Sequence, residues 1–172
     1  MKRFPLNMLA ILLAILALPP LARAGGSLPA MPATVADMTR IELLTGPEAQ
    51  AEVDRLHGKP LPAEESLVAR YARTDADGKT AQRPAEIWIS RVASPEEARR
   101  QTGQMVHMMY ENPKSPFKNP SRIDHAGGPV YRFTGMGQAH LIWHEADLVY
   151  WISTAPADET LMLDTFHRKT AP

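Results

Sequence analysis

The stretch PVYRFTGMGQAHLIWHEADLVYWIS, Pro129 to Ser153, decides the fold. Three β-rich runs, Pro129 to Phe133, Gln138 to His144 and Leu148 to Ser153, are parted by Gly135-Met136-Gly137 and by Glu145-Ala146. Breaks this short permit only antiparallel return, so the spacing predicts a three-stranded meander. Side chains alternate across a strand, which puts Trp143 on one face with Ala139 and Leu141 and sends Tyr150 and Trp151 to opposite faces. Aromatic residues are good strand formers and cross-strand partners, so this cluster reads as sheet packing before it reads as a stacking site for a ligand.

Upstream, Leu67 to Arg73 and Glu86 to Val92 form two more strand-like runs, with Asp77-Gly78 between them as a hairpin signal. The linker TDADGKTAQRP resembles the opening of a calcium loop, but counting from Asp75 puts Gly78 at the fourth place, whereas that loop turns on a glycine at its sixth. Two helix starts carry capping-box logic. Thr45-Gly46-Pro47-Glu48 opens a helix with Ala49, Val53 and Leu56 on one face and Gly58 as its stop. Ser94-Pro95-Glu96-Glu97 opens a second helix, predicted from Pro95 to Tyr110, with two carboxylates at the positive end of its dipole. A third, Asp158 to Arg168, follows Pro156 and ends in His167, Arg168 and Lys169, cations suited to a helix C-terminus. The order is helix, hairpin, helix, meander, helix. It predicts an α+β domain with an antiparallel sheet of about five strands and the helices packed on one face.

Residues 1–24 stand outside that domain. Lys2 and Arg3 precede an apolar run from Met8 to Leu18, and Ala22-Arg23-Ala24 follows Pro19-Pro20, the pattern of a cleaved secretory signal peptide. The run is about 11 residues, too short for the roughly 20 of a spanning helix, so no permanent membrane anchor is expected. Residues 25–40 lack periodicity and read as a flexible leader, leaving 41–172 as a single domain. Without the signal the chain keeps 16 basic residues against 19 acidic ones, a formal charge of −3 that disfavours nucleic acid as a partner. The chain has no cysteine, so thiol catalysis, covalent c-type haem and lipidation at a cysteine are excluded, although the expected compartment, periplasm or exterior, would permit disulfides.

Candidate sites are few. Asn112 to Gly128 reads as an irregular loop, and loops of that length on a rigid scaffold often carry binding. Lys114, Lys118 and Arg122 give it positive charge, Phe117 lies between two prolines as an anchor, and Asp124-His125 could act as an acid–base pair. The competing reading folds this loop against the sheet with Phe117 buried. In GQMVHMMYEN, Gly103 to Asn112, helical spacing assigns Met105 and Met109 to the core stripe with Ala98 and Thr102, and Met108 to its flank near Gln101 and Gln104. His107 lies on another side, with Gly103 and Glu111. His107 and Met108 are the donors a copper site would use, but their spacing disfavours a shared ion. His140 and His144 share a strand face roughly 13 Å apart, too far to chelate one ion. With Gln138 they would make that face polar enough to meet solvent. No G-x-S-x-G elbow, H-E-x-x-H helix or phosphate-binding loop is present. The expectation is an exported, cofactor-free, non-catalytic module that binds a protein or small ligand through the 112–128 loop and the adjoining sheet edge. The alternatives are a periplasmic copper-binding protein and an enzyme of unrecognised type.

Overall fold

A computed structural model describes residues 26–74, 77, 80 and 82–168. The expected signal peptide and part of the expected Asp77-Gly78 turn lie outside these residues. Eight strands form one antiparallel sheet: β1 (Thr34–Val35), β2 (Met38–Thr45), β3 (Glu65–Ala72), β4 (Ala85–Arg91), β5 (Lys118–His125), β6 (Gly128–Gly135), β7 (Gln138–Glu145) and β8 (Leu148–Thr154). Three helices accompany them, α1 (Gly46–His57), α2 (Pro95–Glu111) and α3 (Glu159–Phe166). The sheet order is β1-β2-β3-β4-β8-β7-β6-β5. Each half of the chain builds its strands inward from an edge of the sheet, and the last strand docks beside β4 at the centre.

The meander is where the sequence puts it, as β6, β7 and β8. Its two-residue turn at Met136-Gly137 has both central residues at positive φ, 52° and 78°, the hairpin geometry that matches strand twist. The register sets Trp143 opposite Tyr150, and the two rings stack at 4.7 Å with only 5° between planes. Trp151 lies opposite Ile142 on one side and Trp88 on the other.

Three expectations need correction. The sheet has eight strands instead of five, because the 112–128 segment is not an irregular loop: it holds β5, which pairs with β6 from Lys118 to His125. Residues 25–40, expected to be a leader, supply β1 and the start of β2 and bury Met31, Val35 and Met38. Finally, the helices cover both faces. Alternate residues of β3, β4, β7 and β8, among them Tyr71, Ile87, Ile89, Leu141, Trp143 and Ile152, pack with Met31 and with Met162 and Leu163 of α3 in one core. The opposite alternation packs under α1 and α2: Ala98 meets Val92 and Val149, and Met109 meets Phe133, Ile142 and Trp151. A sheet central enough to bury both faces needs cover on both.

The caps follow the sequence with one difference. Ser94 Oγ accepts from the Glu97 N–H at 3.2 Å, as a capping box requires, whereas Thr45 occupies the N-cap of α1 without a side-chain bond. Gly58 closes α1 in the left-handed region at φ 65°, where a side chain would be strained. Among the described residues no helix is long and apolar enough to cross a membrane.

Candidate functional site

α1 packs on β2 and β3, whereas α2 packs on β7 and β8. Because β4 lies between β3 and β8, the face that bears α1 and α2 has an uncovered strip along β4. That strip is the floor of a groove of about 250 Å³. Trp88 and Trp151, directly opposed in register, form the floor together with Val149. Val53, Leu56 and His57 of α1 make one wall, and Gln104, Met105 and Met108 of α2 the other. Lys59 to Pro62, the residues that follow α1, close an end.

The groove is lined by apolar side chains that folding leaves partly in water. Leu56 is 46% exposed and Met108 58%, and Trp88 is only half-buried, whereas Trp151 is 8% exposed. Exposed leucine or methionine alone is unremarkable, but adjacent exposed apolar groups rimmed by polar ones around a concave surface mark a binding site. The rim is held by hydrogen bonds. Gln50 Nε2 donates to the Leu61 carbonyl at 3.1 Å, and the Leu61 N–H donates to Asp54 Oδ1 at 2.9 Å. From the other wall, Gln101 Nε2 donates to the Pro62 carbonyl at 2.9 Å. The 59–62 segment is thus pinned to both helices.

The polar lining combines the neutral Ser90, Gln101 and Gln104 with the basic His57, Lys59 and Arg100. His57 Nδ1 lies 2.8 Å from the Val53 carbonyl, which can only accept, so Nδ1 carries the proton and Nε2 is left over. Its ring meets Trp151 edge-on at 6.5 Å. Arg100 forks onto the Glu97 carboxylate at 2.6 and 2.7 Å and donates to Gln104 Oε1 at 3.2 Å. That pairing holds the Glu97 carboxyl down at about 2. Lys59 has no ion pair among the described residues.

The residues singled out from the 112–128 segment do not converge. Phe117 turns onto the face that bears α1 and α2, edge-on to His140 at 4.8 Å and to Trp151 at 5.5 Å, as in the reading that folds this segment against the sheet. Lys114 and Lys118 are exposed, and among the described residues Arg122 pairs with Asp124, two positions along, at 3.4 Å. His125 points to the other face of the sheet. There its Nε2 lies 2.9 Å from Asp164 Oδ1 of α3, and its Nδ1 lies 3.1 Å from His167 Nδ1. The acid–base partner of His125 is therefore Asp164 and not Asp124. A carboxylate can only accept, so His125 donates through Nε2, and when neutral it accepts from a proton on His167 Nδ1. Protonating His125 would reverse that bond and move the His167 proton to Nε2. Burial, then the neighbouring His125, lowers the pKa of His167.

The face of β7 expected to meet solvent is buried. His140 is 1% exposed, with Phe117 edge-on to it, and Gln138 is 6% exposed and donates to the Pro84 carbonyl, while His144 is half-buried. His140 spends both ring nitrogens, Nδ1 on Ser153 Oγ at 2.9 Å and Nε2 on the Gly135 carbonyl at 3.1 Å. The carbonyl fixes a proton on Nε2, and burial lowers the pKa of the ring, which favours the neutral form with Nδ1 accepting from the Ser153 hydroxyl. It is a satisfied core histidine. On α2, His107 pairs with Glu111 at 3.2 Å in solvent, while Met108 lines the groove. The two copper donors considered from sequence point to different surroundings.

Sequence reasoning did not find the groove. Its signal was present only in part: Met108 falls on the flank of the α2 stripe, but Trp88 and Leu56 meet Met108 only once β4 is known to lie between β3 and β8. No protein-family model matches the chain, and no significant similarity connects it to a curated protein or to a solved structure.

Proposed function

We propose that the protein is an exported, non-catalytic binding module that holds a small ligand with an apolar body in the groove between α1 and α2. The observation that carries this reading is the pair of indoles, Trp88 and Trp151, at the base of a cleft whose walls expose Leu56 and Met108. Sites for small ligands are concave and mostly apolar, with a few placed polar groups, and the indole floor and polar rim match that description. The pinned 59–62 segment adds preorganisation, which lowers the ordering cost of binding.

The test is a fluorescence titration of the purified protein with N-phenylnaphthylamine, a neutral apolar probe that brightens on leaving water. Leu56→Gln combined with Met108→Gln should weaken binding at least about tenfold, since two apolar contacts of about 1 kcal/mol each are lost. Lys114→Glu combined with Lys118→Glu, on the segment first expected to bind, should leave it unchanged. Loss of binding in the lysine variant with retention in the groove variant would move the site to the 112–128 segment.

A further inference from the structure

We infer that the ligand of this groove is a free anionic amphiphile, with its apolar body on Trp88 and Trp151 and its acidic head at the rim formed by His57, Lys59 and Arg100. The inference rests on the groove reading and adds the sign of the ligand's charge. The lining contains Lys59, Arg100 and His57 and no carboxylate, in a chain whose acidic residues equal its basic ones in number. Glu97 answers the charge of Arg100 and Asp54 is turned to the Leu61 N–H, which leaves Lys59 as the charge not matched at the mouth of the cleft.

The three basic side chains are differently committed. Arg100 shares its charge with Glu97 through two bonds, so it offers position more than net charge. His57, with Nδ1 spent on Val53, has only Nε2 left, which donates to an acidic head only when it too carries a proton. Lys59, next after the Gly58 cap, has no carboxylate partner among the described residues, and its segment is fixed by Gln50, Asp54 and Gln101. It is the residue on which an anionic head would depend most. A cleft of about 250 Å³ takes one chain or a pair of fused rings and presents no broad flat surface, which favours a free amphiphile over a bilayer.

The experiment uses a matched pair of probes on the wild-type chain and on Lys59→Gln. Anilinonaphthalene sulfonate and N-phenylnaphthylamine share an aromatic body and differ by the sulfonate. The sulfonate should bind about threefold tighter at low salt, with the gap narrowing as salt rises, because an exposed charge contact is worth about that factor and is screened. In Lys59→Gln the gap should shrink to less than about twofold while the neutral probe binds as before. Dodecanoate should displace either probe, and dodecyltrimethylammonium should not. Equal binding of both probes, still weakened by Leu56→Gln with Met108→Gln, would overturn the anionic inference and leave the groove reading standing. Absence of binding by both probes would overturn the groove reading itself. Sedimentation of the protein with anionic lipid vesicles, without displacement by dodecanoate, would replace the free amphiphile by a membrane surface.

Discussion

Gly135 tests how the α2–β5 segment is seated, and with it the position of the α2 wall. A Cβ at Gly135 would lie 2.6 Å from the Pro116 carbonyl oxygen and 3.4 Å from the Phe117 Cα. Both are backbone atoms, so the clash cannot be relieved by turning a side chain. Gly135 is outside the left-handed region, so alanine meets no φ penalty there, and its narrower unfolded ensemble would by itself stabilise the fold by about 0.4 to 1 kcal/mol. Against that, the 116–117 backbone must retreat by at least about 0.8 Å to reach ordinary contact distance. Phe117 retreats with it and opens its edge contacts with His140 and Trp151. Overpacking of this kind costs about 1 to 3 kcal/mol, and full truncation of a buried phenylalanine about 3 to 5, which bounds the loss from above. The expected net result for Gly135→Ala is a destabilisation of about 1 to 2 kcal/mol in urea unfolding followed by tryptophan fluorescence. The cause is identified by a double-mutant cycle. In a Phe117→Ala background the segment is unanchored and can move away freely, so Gly135→Ala should cost at least about 0.5 kcal/mol less than in the wild type. A strictly additive cycle, or a single variant as stable as the wild type, would refute the argument.

Adjacent methionines on α2 should behave oppositely: Met109→Ala, at 7% exposure, should cost about 2 to 4 kcal/mol, whereas Met108→Ala should stay within about 0.5. Equal losses in thermal or urea unfolding would contradict the packing described. Stability should decline as pH falls from about 7 to about 5, since buried His140 and His167 have pKa values below the ordinary 6.5 and the unfolded chain takes up their protons first. The slope is at most about 1.4 kcal/mol per pH unit for each histidine, and flat or rising stability in this window, measured by urea midpoints, would count against the neutral buried rings. Nitrogen-15 NMR at neutral pH should find His167 protonated on Nδ1, and an Nε2 proton would contradict the direction of the Asp164–His125–His167 chain.

What the sequence made legible is what repeats with a period. The meander, the β3–β4 hairpin and all three helices follow from apolar spacing and caps, because each has a face buried enough to constrain every second or every third and fourth residue. β5 escaped for the converse reason. It is an edge strand, exposed at Lys118, Asn119, Pro120, Ser121, Arg122 and Asp124, and only Ile123 packs toward a core. Proline and charge on an edge are what prevent further pairing, and they also erase the alternation that identifies a strand. β2 was hidden by its irregular register, which shifts between Arg40 and Glu42 and leaves Ile41 and Leu43 partly exposed.

The candidate site was less legible still, because it is a product of strand order and not of any segment. Val53, Leu56 and His57 belong to one helix, Trp88 to a strand, and Met105 and Met108 to another helix, with nothing in their local spacing to join them. They meet because β4 lies between β3 and β8, so that the two helices resting on β3 and β8 flank it on either side. A sheet face that central would otherwise be expected to be covered, and leaving Trp88 and its apolar neighbours half in water forgoes burial energy on the order of 25 cal/mol for each Å² left exposed. The hydrogen bonds of Gln50, Asp54 and Gln101 that hold the 59–62 segment at the rim keep the gap from closing. A ligand with an apolar body recovers that forgone burial, and because the rim is already fixed, it does so without having to order the walls first.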